Sequence, residues 1–342
     1  MSRIAVVLFN LGGPDGPQAV RPVLRNLFSD PAIIGAPGPL RWALAELISR
    51  TRERLAKENY AVMGGASPLN AGTGAQAEAL QTRLAALRPG DEVRVFIAMR
   101  YWRPITEQAA AEVTAFGADE VVLLPLYPQF STTTTGSSLA AWRRSYRGGG
   151  RERAGCCYFD DAALARAHAA LIEAAWRAAG SPEGVRLLFS AHGLPERIAV
   201  GGDPYQWQVE RTCERVAVAL GGGWDWRVCY QSRVGPLKWI GPSTVEEIER
   251  AAAAGLGVII DPIAFVSEHV ETLVELDRDY AEIARKAGAR PYIRVPALGT
   301  QPLFIEALAR QAQAALSATP AEAPCGCVEG FSRCGFTPAE AA

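Results

Sequence analysis

Short unbroken apolar runs, separated by helix-patterned segments, constrain this chain more than any other feature. Ile4–Phe9, Val93–Met99, Glu120–Leu126, Val185–Phe189 and Gly257–Asp261 are such runs. They lack the strict alternation of a half-solvated strand, so they read as strands buried on both faces, as in parallel sheets. Parallel neighbours need long crossovers, and helical patterns supply them at Val20–Phe28, Ala75–Leu87, Thr106–Phe116, Asp161–Ala179 and Pro302–Ala315. Further strands are expected around Cys157-Tyr158, Val228 and Ile293. The alternation restarts after the middle of the chain. The expected fold is therefore α/β, two similar units with about four parallel strands each. The expected divisions are residues 1–150, 151–301, a C-terminal helix 302–318 returning to the first unit, and a Cys-rich tail 319–342, with the linker near Gly148–Ala154.

The chain has 342 residues, which is room for two ordinary domains. A net charge of -1 leaves no basic footprint for nucleic acid. No apolar run reaches membrane-spanning length, and Met1 leads directly into a strand, so a cytoplasmic protein is expected. Seven cysteines in a reducing compartment point to thiols or a metal centre rather than a disulfide scaffold.

Candidate chemistry gathers where the strands end. Val185–Phe189 is followed by Ser190-Ala191-His192-Gly193-Leu194-Pro195, a turn that leaves a titratable imidazole at a carboxyl end. Ligands of open α/β sheets bind outside those ends. A lone histidine there is more often capped or solvated. The second buried run, closed by Pro262, leads to Ser267-Glu268-His269-Val270-Glu271-Thr272-Leu273-Val274-Glu275. Ser267 is the expected N-cap. Glu268, Glu271 and Glu275, at i, i+3 and i+7, are expected on one helix face. Stacked carboxylates on a solvated face are cheap; at a strand end they become proton acceptors. Only three histidines occur, and two of them, His192 and His269, follow strand ends.

Other stretches have two readings each. Ile33–Ile48 is either a packed helix pair or an apolar lip for a flat ligand or a membrane face. Arg100-Tyr101-Trp102 is either an anion site or a cation–π cluster. Ser131 and Thr132–Thr135 either bind carboxylates or cap the helix at Leu139. Trp239, on the loop Tyr230–Pro242, either stacks on a planar ring or plugs a core.

Together these stretches resemble the ferrochelatase family. The resemblance is carried by Ser190–Pro195, Tyr230-Gln231-Ser232-Arg233-Val234-Gly235-Pro236 and Phe265–Leu273. It extends to Leu11-Gly12-Gly13-Pro14, Gly64-Gly65-Ala66-Ser67-Pro68, Arg100-Tyr101 and Tyr127-Pro128-Gln129. It runs from about Ile4 to Ala315. It implies insertion of ferrous iron, Fe(II), into protoporphyrin IX, the last step of haem b synthesis. It also implies two flavodoxin-like domains in the class II chelatase arrangement, with porphyrin in the cleft between them. His192 and Glu271 would bind the substrate iron and take pyrrole protons. Glu268 and Glu275 would extend an acidic path, and His269 would support it by hydrogen bonding. Leu11, Ile33, Tyr101 and Trp239 would hold the ring, with Arg100 and Ser131 on its propionates. Leu11 stands where some relatives carry Met.

The tail holds Cys325, Cys327 and Cys334. Some ferrochelatases carry a [2Fe-2S] cluster on C-terminal cysteines plus one internal cysteine, and four thiolates suit that cluster. The spacing also permits zinc. The usual internal position falls within Thr132–Thr135, so Cys157 or Cys156 becomes the candidate fourth ligand. Cys213 and Cys229 read as structural. The alternatives are a coproporphyrin III or sirohydrochlorin chelatase, a non-catalytic haem carrier, and a redox protein built around the tail. Peripheral membrane contact through the lip is a further expectation. Oligomeric state is open.

Overall fold

Among the described residues eight strands form two four-stranded, wholly parallel sheets. The computed structural model describes residues 1–155, 157–233, 235, 237–318, 327 and 330–335. The first sheet contains β1 (Arg3–Asn10), β2 (Glu92–Met99), β3 (Glu120–Pro125) and β4 (Arg151–Ala154), in the order β2-β1-β3-β4. The second contains β5 (Val185–His192), β6 (Trp226–Gln231), β7 (Gly257–Asp261) and β8 (Tyr292–Arg294), in the order β6-β5-β7-β8. The same order thus occurs twice. In each sheet the chain moves to one side of the first strand and then to the other. The switch falls beside the carboxyl ends of β1 and β3, and of β5 and β7, where this class of sheet takes its ligands.

Residue contacts divide the chain into two units. One comprises Met1–Tyr127, Ser131–Cys157 and the last helix from Leu308; the other comprises Pro128–Phe130, Tyr158–Ala307 and the described residues from Cys327.

The central strands are buried on both faces. Leu187 and Phe189 of β5 point into one core with Val209, Val216 and Ile259. Leu188, between them, points into the other with Val258, Ile260 and Ile248. Each such side chain contributes roughly 1.5–3 kcal/mol on burial. This is why the apolar runs carry so little alternation.

Two expectations need correcting. The fourth strand is β4, not Cys157-Tyr158, and Gly148–Ala154 is therefore not a linker but includes a sheet edge paired with β3. Its sequence, Arg-Glu-Arg-Ala, is polar, because an edge strand faces solvent and apolar runs cannot reveal it. Arg153 Nε donates to Glu120 at 3.0 Å, and Trp142 Nε1 donates to Glu152 at 2.8 Å, tying that edge down with side chains.

The segment after β7 also differs. The N-cap of the following helix is Val270, not Ser267. The helix is a π-helix, Glu271–Tyr280, continued by the α-helix Ala281–Ala287. A second π-helix, Thr132–Gly136, precedes Ser137–Ser145. The Ile33–Ile48 region resolves into a loop and the long helix Gly38–Val62, with Leu40, Trp42 and Leu47 exposed and only Ala45 and Ser49 buried. Among the described residues, no helix is long and apolar enough to cross a membrane.

Candidate active site at the carboxyl ends of β5 and β7

His192 is the last residue of β5, not a turn residue. Its Nδ1 contacts the Gly193 carbonyl, which can only accept, so Nδ1 carries the proton and Nε2 is the basic nitrogen. Nε2 lies 3.6 Å from Glu271 Oε2, with the His192 and Glu271 side chains 42% and 21% exposed. Imidazole and carboxylate therefore face each other while still open to a ligand.

Backbone geometry holds His192 in place. Gly193 N–H donates to the Gln231 carbonyl at 2.8 Å, and Tyr205 Oη donates to the His192 carbonyl at 3.2 Å. A Cβ on Gly193 would stand 2.8 Å from that carbonyl and 3.2 Å from the Trp239 ring, so only glycine fits here. Trp239 is not at a free loop tip. Its strand-like stretch is clipped to the turn by Glu196 N to Lys238 O at 2.9 Å and Ile240 N to Leu194 O at 3.0 Å. Half-buried, it sits directly against the residue after His192.

Glu271 and Glu275 lie one turn apart on the π-helix. Ser232 Oγ is 3.2 Å from Glu271 Oε2 and 2.6 Å from Glu275 Oε2. Gln231 Nε2 donates to the Glu271 carbonyl at 3.0 Å and to Glu275 at 3.3 Å. Burial, then the charge of Glu271, push the Glu275 carboxyl up to about 7, against the pull of Ser232 and His192. A folded-state value above the ordinary 4.5 favours the protonated form. Its stabilising contribution is complete below about pH 4.5 and is lost as pH rises through about 7. Wild type should therefore lose up to about 3 kcal/mol relative to Glu275→Gln across that window. Urea midpoints of the two proteins at several pH values measure this; a constant difference across the window contradicts it.

Glu268 does not share the face of the other two glutamates. It precedes the π-helix and turns to Arg294, whose Nη1 is 2.5 Å away, and to the Ala297 N–H at 3.0 Å. Burial raises its carboxyl, but hydrogen bonds, Arg294 among them, outweigh burial and hold it below the usual range. The i, i+3, i+7 pattern misplaces it because no regular helix links residue 268 to 271. His269 is buried with its ring edge on Phe265, centroids 4.7 Å apart. Contrary to the expected hydrogen bonding to the acidic path of Glu268 and Glu275, Nδ1 of that ring has no partner among the described residues. Burial lowers its basicity, so it is held as neutral imidazole.

In the other unit, Arg100 and Tyr101 join one buried network. Asp30 accepts from Arg100 Nη2 at 2.8 Å, from Tyr101 Oη at 2.9 Å and from Ser137 Oγ. Arg100 Nε also donates to Ser137 at 2.7 Å. Tyr101 is buried and offers no open face for stacking, contrary to expectation. Ser131 caps the π-helix Thr132–Gly136, accepting from Thr133 N at 3.2 Å. Leu11 and Ile33 are half-buried, and Ile33 N–H donates to the Asp30 carbonyl at 3.0 Å. Cys213 and Cys229 are buried in a helix and a strand, as expected of structural thiols.

Reasoning from sequence missed the supporting residues Ser232, Gln231, Tyr205 and Gly193. Their motifs were visible, but a hydroxyl bridging two carboxylates has no linear signature.

The paired parallel sheets, with a base and carboxylates at the switch of one of them, define a chelatase-type α/β protein. SirB from Bacillus subtilis, solved with Fe3+, shares the fold: TM-score 0.53 at 12% identity, covering 93% of this chain and 96% of that one. The family model described as Ferrochelatase matches residues 3–316. A ferrochelatase of Caulobacter vibrioides is 59% identical, covering 97% of both chains. One of Phenylobacterium zucineum is 56% identical, again over 97% of both. A ferrochelatase of a Wolbachia strain of Drosophila simulans is 47% identical, over 89% of this chain and 97% of its own. The chain belongs to the ferrochelatase family and is a metal chelatase, a lyase.

Proposed function

We propose that the chain inserts ferrous iron into protoporphyrin IX, releasing two protons, with His192 and Glu271 as the reacting pair. The observation that carries this reading is the 3.6 Å approach of His192 Nε2 to Glu271, with Glu275 behind it. Each insertion exchanges two pyrrole N–H protons for one Fe(II). Nε2, its lone pair free, accepts a pyrrole proton. Glu271 stabilises the imidazolium and passes the proton on. Glu275, titrating near neutral pH, both takes and releases it. The second proton follows the same route. The two carboxylates also supply oxygen donors to the incoming iron. Trp239, against Gly193, provides an aromatic edge for the macrocycle. Arg100 and Ser131 would act on propionates only if a ligand displaces their present partners.

An anaerobic assay with Fe(II) and either protoporphyrin IX or coproporphyrin III tests the reading. Loss of porphyrin fluorescence with a haem spectrum is expected, faster with protoporphyrin IX. Preference for coproporphyrin III would reassign the substrate, and tight binding without insertion would make the protein a haem carrier. The exposed Leu40, Trp42 and Leu47 support the expected peripheral membrane contact.

A [2Fe-2S] cluster is a separate question. Cys325 and Cys156 lie outside the described residues. Cys327 accepts from Gln208 Nε2 at 2.9 Å, Cys334 is buried, and Cys157 is half-buried. Among the described residues no three His, Cys, Asp or Glu side chains converge to hold a metal ion, so the described thiols alone do not fit a cluster. The proposal of a cluster rests on the tail's cysteine content and the family resemblance. Visible absorption of anaerobically purified protein, with iron and sulfide per chain, tests it. A colourless, active protein without iron would rule the cluster out.

A further inference from the structure

The residue that meets both carboxylates of the site is Ser232, and it does so from an unfavourable backbone. Its φ is +59°, one of only two positive values among the described non-glycine residues. A side chain in that left-handed region costs of order 1 kcal/mol or more and persists only where surrounding contacts enforce it. Here they do. The preceding Gln231 is fixed at three points: its carbonyl accepts from Gly193 N–H at 2.8 Å, its Oε1 accepts from Ser190 Oγ at 2.8 Å, and its Nε2 donates to the Glu271 carbonyl at 3.0 Å. Every one of those contacts leads to the His192 strand or to the π-helix.

Glycine would satisfy the backbone at 232 without strain. A hydroxyl is present instead, set between the two carboxylates at 3.2 and 2.6 Å. A serine hydroxyl has one proton to give. It can serve only one carboxylate at a time, so it brings both to one point without neutralising either. We propose that Ser232 is a positioning residue for metal insertion. Its left-handed backbone aims the hydroxyl at Glu271 and Glu275, holding the carboxylate pair opposite His192. The proposal rests on the reading of that pair as the iron-handling groups and adds the part that sets their geometry.

Ser232→Gly separates the hydroxyl from the backbone, because it removes the first and relieves the second. Ser232→Ala removes the hydroxyl and keeps the strain. For both, kcat/KM for Fe(II) is expected to fall about ten- to hundredfold, the worth of a hydrogen bond to a charged group. The porphyrin dissociation constant, from fluorescence quenching without metal, should stay within about twofold, and the melting temperature of Ser232→Gly should equal or exceed wild type. Combined with Glu275→Gln, the Ser232→Gly loss should be less than multiplicative, since both changes break one contact. Wild-type kcat/KM for Fe(II) in Ser232→Gly overturns the proposal. So does weakened porphyrin binding as large as the kinetic loss, which would place the hydroxyl on the porphyrin, or a fully multiplicative double variant. Failure of wild type to insert iron into either porphyrin overturns the underlying functional reading instead.

Discussion

His192→Ala is expected to fold as wild type does and to lose iron insertion by at least about a hundredfold. The side chain is 42% exposed, so its removal opens no cavity in the core. The strand that carries it keeps its partners, since β5 is held through main-chain bonds to β6 and β7. What disappears is the one nitrogen with a free lone pair facing Glu271. The measurement is a pair: a melting curve, and the single-turnover rate with saturating porphyrin and Fe(II). Turnover within about threefold of wild type would remove His192 from the mechanism.

The second large effect concerns stability and lies away from the reacting groups. His168, on the helix Ala162–Ala178, places Nδ1 3.2 and 3.1 Å from the two oxygens of Asp261. The side chains are 2% and 0% exposed. Asp261 is the last residue of β7, and the chain leaves it for Pro262 and the segment bearing His269 and Glu271. Removing one partner of a buried pair leaves the other without compensation, at a cost of about 3–5 kcal/mol. His168→Leu should lower stability by that amount, read as a shift in the urea midpoint at neutral pH. Replacing both, with His168→Leu and Asp261→Val, should recover most of the loss, because apolar groups of similar shape can replace both partners of a buried polar pair at little net cost. Equal destabilisation in the single and double variants would mean that packing, not the stranded polar partner, sets the cost.

These two histidines show how far linear reasoning reaches. His192 was legible because a buried run ends beside it and ligands gather at such ends. His168 was not, because nothing in an alanine-rich helix indicates which face meets a buried carboxylate. The three glutamates divide the same way. Glu271 and Glu275 share a face in any helix-like geometry, whereas Glu268 depended on where the helix begins. The π-helix moved that start beyond it, and Arg294, distant in sequence, claimed its carboxylate. Tyr101 next to Arg100 looked available to a flat ligand until Asp30 took up its hydroxyl.

By itself the sequence determined the class of fold, the strands of the two sheets apart from the polar edge β4, the family, and the strand end that carries His192. These follow from local patterns: apolar runs buried on both faces, helices long enough for crossovers, and motifs contiguous along the chain. Only the tertiary structure decided which groups meet. The approach of Glu271 to His192, the placing of Ser232 between two carboxylates and the His168–Asp261 pair each join residues about forty or more positions apart. A contact of that kind is set by strand order and by the start of one helix, and neither is written in the residues that make it.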